Sequence, residues 1–102
     1  MNALKQRALA QETGFVIEEK NSFVANARRN MRLGQWAGEL LGKDDVDGYA
    51  DELVTSGLER RHGEFARLRN DFDAAGVKVS DDEIQARMAS LLQDVLTDMR
   101  KA

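Results

Sequence analysis

The sequence predicts an all-α fold, a small four-helix bundle with a partly helical N-terminal arm. Three observations carry that prediction. Apolar residues recur at spacings of three and four in four successive segments, the period of one face of an α-helix. The chain has no proline, so nothing except glycine interrupts a helix. Glycines also stand where the apolar periodicities change phase. A chain of 102 residues is one domain, able to bury roughly 60–70% of the surface its unfolded form exposes. The division expected is an arm over residues 1–20 and a helical bundle over residues 21–102.

The first bundle helix is expected from a cap at Asn21 or Ser22 to about Leu41. Phe23, Ala27, Met31, Gly34, Ala37 and Leu41 form its stripe, and Leu33, Trp36 and Leu40 widen it. Gly42 stops it in the left-handed conformation. Asp44 or Asp45 caps a second helix whose apolar residues are Val46, Tyr49, Ala50, Leu53 and Val54, with Gly57 as its end. The third runs from Glu59 to Ala75 on Phe65, Leu68, Phe72 and Ala75, and Gly76 terminates it. Val77 and Val79 tuck into the core as a short extended link. Ser80-Asp81-Asp82-Glu83 is a capping box, and Ile84, Met88, Leu91, Leu92, Val95 and Met99 line the last helix. Arg100 and Lys101 complement the negative end of its dipole.

The arm reads less clearly. Leu4, Ala8 and Phe15 share a helical face, but Thr13-Gly14 interrupts it, at about 1 kcal/mol for the glycine. The segment is expected either to become ordered on a partner or to extend the helix that begins near Asn21.

Composition removes several functional classes. With no cysteine there is no disulfide framework, thiolate nucleophile or cysteine metal site. No apolar run of signal-peptide or membrane-span length occurs, so a soluble, cytoplasmic protein is expected. The net charge of −3 conceals an asymmetry: residues 1–43 hold seven basic and four acidic side chains, residues 44–102 eight and fourteen. The acidic excess disfavours nucleic acid as a partner, while the dipolar distribution suits steering onto a charged protein.

No catalytic constellation assembles. His62 is the sole histidine and reads as a surface residue beside Glu59 and Glu64. Asp71 and Asp73 are two apart, and residues so spaced on a helix do not face each other; they read as solvated acids around a buried Phe72. Asp44-Asp45-Val46-Asp47-Gly48 is similar to part of a calcium loop but lacks its ligand spacing and closing glutamate, so capping explains it better. Gly34 and Gly38 cost helix stability and point to close helix approach. Arg28, Arg29 and Arg32 are the most suggestive cluster. They share a helical face that is either solvated and paired with the acidic half or a contact for an anion or partner protein. Trp36 is four residues after Arg32 and either stacks on its guanidinium or belongs to the core.

Phe23, Ala27-Arg28-Arg29-Asn30, Leu33-Gly34, Trp36-Ala37, Leu41-Gly42, Tyr49-Ala50 and Asp71-Phe72-Asp73-Ala74-Ala75-Gly76-Val77 with Val79-Ser80-Asp81 form an ordered set of motifs. In these the chain resembles the zeta-type inhibitor subunit of the F-type ATP synthase of alphaproteobacteria, over about residues 15–100. The resemblance implies a four-helix fold and a non-enzymatic regulator that binds the catalytic head, its alpha, beta and gamma subunits, and blocks ATP hydrolysis. It implies that the N-terminal arm is the inhibitory element, here Leu4, Arg7, Ala8, Gln11, Glu12 and Phe15, with Arg28, Arg29 and Arg32 as secondary contacts. It implies no catalytic or metal-binding residue and no cofactor beyond weak ATP or ADP binding, for which no residues carry over. The chain departs from the family pattern at Gln11, Gly14 and Asn21, which make the arm less charged and a poorer helix. The alternative reading is a non-inhibitory paralogue acting as an adaptor or weak nucleotide-binding sensor.

Overall fold

The computed structural model describes residues 19–101, with side chains from Asn21 to Lys101. Four helices make up this part: α1 Glu19–Leu40, α2 Val46–Glu59, α3 Gly63–Ala75 and α4 Asp81–Lys101. Among the described residues there is no strand, and no helix is long and apolar enough to cross a membrane. The all-α bundle expected from the apolar periodicity is the fold observed.

The helix ends follow local chemistry where the sequence carries a strong signal. Gly42 and Gly76 both adopt φ 69°, a conformation that costs glycine nothing and other residues about 1–2 kcal/mol. Around Gly42 the amides of Gly42 and Lys43 return to the carbonyls of Glu39 and Gly38. Around Gly76 the amides of Gly76 and Val77 return to Asp73 and Phe72. Both are Schellman closures. Asp45 caps α2 by accepting from the Gly48 amide at 2.9 Å. That accounts for the carboxylate in the calcium-loop-like run. The capping box forms as expected: the Glu83 amide donates to Ser80 Oγ at 3.1 Å and the Ser80 amide to Glu83 Oε1 at 3.2 Å.

Three boundaries differ from expectation. α1 already includes Glu19, so Asn21 and Ser22 lie inside it and cap nothing. α2 passes through Gly57 to Glu59. α3 starts at Gly63, not Glu59. Gly57 is not a stop because its missing side chain serves packing: a Cβ there would lie 2.6 Å from Asn30 Nδ2 and 2.7 Å from Glu64 Oε2. The break falls instead at Arg60-Arg61-His62, where His62 takes φ 60°.

The core comprises Leu33, Ala37, Tyr49, Leu53, Leu68, Phe72, Val79 and Ile84, with Trp36, Leu41, Phe65, Val77, Met88 and Leu91 packed against it. Val79 is buried and Val77 half-buried, as the alternation in the link predicts. α1 is the hub, packing most extensively on α2 and then on α4, while α3 packs on α2. Gly34 makes the α1–α2 crossing possible: a Cβ there would come within 2.5 Å of Ala50 Cα. Gly38 lies against Val46 and Tyr49 in the same seam.

The predicted α1 stripe needs one physical correction. Phe23 lies on the same helical face as Asn30, Gly34 and Ala37, yet it is 59% exposed. α1 has 22 residues and α2 only 14, about 33 Å against 21 Å of helix. Gly34 faces Ala50 and Asn30 faces Gly57, so the two helices run antiparallel and the turns of α1 before Asn30 extend past the end of α2, which leaves Phe23 uncovered by it. Leu40, at the other end of α1, is 46% exposed, and Ala75, expected on the α3 stripe, is exposed because it is the last residue of α3.

The DFD acids are held individually around a fully buried Phe72. Tyr49 donates its hydroxyl to Asp71 at 2.6 Å. Arg67 donates to the same oxygen at 2.7 Å and to Glu52 at 2.8 Å. Asp73 accepts from Arg69, which also reaches Asp81 at 2.9 Å. Burial, and then the bond to Asp71, push the Tyr49 phenol above its ordinary value of 10.0. An unfolded tyrosine therefore ionises first as pH rises. The stabilisation from the neutral phenol is complete below about pH 10 and falls above it. Tyr49→Phe is expected to cost about 1 kcal/mol at neutral pH and to flatten the loss of stability above pH ~10. Urea denaturation on both sides of that pH checks both effects.

Candidate functional site

The arginine motif of α1 diverges once folded. Ala25, Arg29, Arg32 and Trp36 repeat at four, three and four, which places them on the flank of α1 that meets α4. Arg29 turns inward. Its side chain is 12% exposed, with a terminal nitrogen 3.9 Å from Glu64 and Nε donating to Asn30 Oδ1 at 2.7 Å. Asn30 and Glu64 are both buried. Burial lowers the Arg29 pKa and the Glu64 charge partly restores it. This trio locks α1 to the start of α3, with Gly57 making room from α2. Glu64 is thus a buried partner of Arg29, not the surface neighbour of His62 that its sequence position suggests.

Arg32 reaches α4 and donates to Asp98 at 2.7 Å. That hydrogen bond holds the Asp98 carboxyl below its usual range. Both side chains are well exposed, so the pair ties α1 to α4 weakly. Trp36 does not stack on Arg32. It meets Phe72 edge-on at 5.7 Å and carries Arg87 of α4 over its ring at 5.1 Å. It is at once part of the core and a cation-π partner, but to an arginine that sequence spacing could not identify. Arg28 is exposed and, among the described residues, makes no ion pair. The arm residues Leu4, Arg7, Ala8, Gln11, Glu12 and Phe15 lie outside the described residues.

A second basic feature sits where α2 turns into α3. Arg60, Arg61 and His62 are consecutive and exposed. The turn that presents them is tightly determined. The Arg60 amide bonds to Ser56 O at 3.3 Å and the Gly63 amide to Arg60 O at 2.8 Å. Gly63 is required, because a Cβ there would collide with the Ser56 carbonyl. Beside the turn lies a shallow cleft lined by Arg29, His62, Phe65, Gln85, Met88 and Ala89. The basic run is visible in the sequence. What sequence cannot show is that Arg60 and Arg61 have no ion-pair partner among the described residues, while Arg29 and Arg32 are engaged.

Within the bundle Arg29, Arg32, Arg67 and Arg69 are paired with carboxylates, and most of the other charged side chains face solvent. A family model described as ATPase inhibitor subunit zeta matches residues 1–98. The chain belongs to that family. A search of curated proteins finds no match. Membership gives the zeta-family chain a regulatory role, inhibition of the ATPase. The matched span includes the arm as well as all but the last residues of α4, so the departures at Gln11, Gly14 and Asn21 fall within a family-like sequence.

Proposed function

We propose that this zeta-family chain inhibits ATP hydrolysis by binding the catalytic head of the F-type ATP synthase, alpha, beta and gamma subunits together, on the cytoplasmic side. The N-terminal arm enters a catalytic interface through Leu4, Arg7, Ala8, Gln11, Glu12 and Phe15. The bundle anchors it from outside, with Arg28 as the exposed member of the α1 arginine cluster. Arg29 and Arg32 contribute indirectly, by fixing α1 to α3 and α4. The observation that carries this reading is the family match over residues 1–98, which takes in arm and bundle together. The packing supports it as well. The hub helix α1 begins at Glu19, directly after the proposed arm in sequence, and α2 and α4 both pack on it. No cofactor enters this mechanism. Each arm residue fixed on the head costs about 1–2 kcal/mol of backbone entropy, so Gly14 weakens inhibition without removing it.

Deleting residues 1–18 is expected to abolish inhibition and leave the bundle folded, because the buried apolar side chains among the described residues run from Ala25 to Val95. Hydrolysis assays with the truncated chain, beside its circular dichroism melt, check both halves. Full inhibition by the truncated chain would refute the arm mechanism. If the full chain binds the head yet leaves hydrolysis unchanged, the adaptor reading replaces inhibition.

A further inference from the structure

We infer that the end of the bundle formed by the N-terminal part of α1 and the α2–α3 turn is the surface by which the bundle itself grips its partner, and that it fits an acidic protein surface with an apolar spot. The inference rests on the proposed function and assigns the bundle's share of the contact to particular residues. Three independent features coincide at this end. Arg60 and Arg61 are exposed and adjacent and have no ion-pair partner among the described residues; Arg29, Arg32, Arg67 and Arg69 are engaged with carboxylates and Arg87 lies over Trp36. Arg28, exposed and likewise without an ion pair among the described residues, belongs to the N-terminal part of α1. Phe23, 59% exposed, lies in the part of α1 that precedes Asn30, the residue facing Gly57 near the end of α2, and Leu58, 56% exposed, is in the last turn of α2. They are two of the three large hydrophobic residues exposed among the described residues. His62 holds the turn in a left-handed conformation that costs a non-glycine residue about 1–3 kcal/mol, and such strain tends to mark functional turns. Glu59 is the acidic neighbour in this run; it leaves the four-residue stretch Glu59–His62 net positive. Exposed cations beside isolated large apolar side chains are the composition of an interface, with arginine and aromatic residues as its anchors.

The test measures association of the labelled full chain with the purified ATP synthase catalytic head at low and moderate salt. Arg60→Ala with Arg61→Ala is expected to weaken binding roughly tenfold at low salt and to remove most of the salt dependence, as loss of steering charges does. Lys43→Ala with Lys78→Ala changes net charge equally at the opposite end and is expected to stay within about twofold of wild type. Arg60→Lys with Arg61→Lys, which keeps the charge, is expected to bind nearly as the wild type does. Phe23→Ala is expected to weaken binding roughly tenfold at both salt concentrations, as loss of an interface anchor does. Equal binding by the Arg60/Arg61 alanine variant and wild type would overturn the assignment, and so would equal loss in the Lys43/Lys78 control. A wild-type chain that fails to bind the head would overturn the proposed function and this inference together.

Discussion

Gly34→Leu is expected to abolish the cooperative unfolding transition of the protein, and Gly34→Ala to lower its stability by about 2 kcal/mol. Helix propensity alone predicts the opposite sign, since alanine is favoured over glycine by about 1 kcal/mol within a helix. The collision decides. A Cβ at residue 34 would lie 2.5 Å from Ala50 Cα and 2.9 Å from Ala50 Cβ. The obstacle is backbone, so no rotamer change relieves it and α1 must move off α2. That movement opens the seam in which Leu33, Ala37 and Leu53 are buried. Leucine adds three more carbon atoms to a space that cannot take one, against a total stability on the order of 5–10 kcal/mol for a domain of this size. Urea denaturation followed by Trp36 fluorescence measures both variants. A Gly34→Ala variant as stable as wild type would show that the crossing is looser than 2.5 Å implies.

The second large effect is expected at Glu64. Removing one partner of a buried ion pair costs about 3–5 kcal/mol, because the other charge stays buried and uncompensated. Glu64→Ala leaves the Arg29 guanidinium beside Asn30 with its charge unmatched, and burial already lowers the Arg29 pKa. A loss of about 3 kcal/mol is expected, toward the low end because the Arg29 side chain retains 12% exposure and can reorient to water. Glu64→Leu combined with Arg29→Met removes both charges while keeping bulk, and is expected to recover most of that loss. A double variant no more stable than Glu64→Ala alone would contradict the electrostatic origin of the effect. The pair joins α1 to the start of α3, so its loss should also be felt at the α2–α3 turn.

The fold was legible wherever a signal was local. Gly42, Gly76, Asp45 and the Ser80–Glu83 box each act within a few residues, and each does in the structure what its sequence context implies. Four helices, their apolar faces and the buried Val79 follow from the same short-range patterns. What was not legible depends on partners distant in sequence. Gly57 has the same chemistry as Gly76, but it sits inside a helix because Asn30 and Glu64 occupy the space where its side chain would be. His62 takes a conformation usual for glycine, and no residue type marks it in advance. Phe23 obeys the α1 periodicity yet stays exposed, because α2 ends before reaching it.

The candidate site divides in the same way. The arginine motif pointed to the right helix but could not say which guanidinium turns inward. Arg29 and Arg32 find carboxylates 35 and 66 residues away in sequence, in Glu64 and Asp98. The Arg60-Arg61-His62 run was visible, but the fold decides that its two guanidiniums, like that of Arg28, stay without a carboxylate among the described residues while Arg29, Arg32, Arg67 and Arg69 find one.

The central claim is that this chain restrains ATP hydrolysis by the F-type ATP synthase. The direct measurement is a titration of the full chain into the cognate catalytic head with the hydrolysis rate as readout. The rate is expected to fall in a saturable manner to a small residual value near one chain per head. A rate that stays at its starting value across the titration would contradict the account.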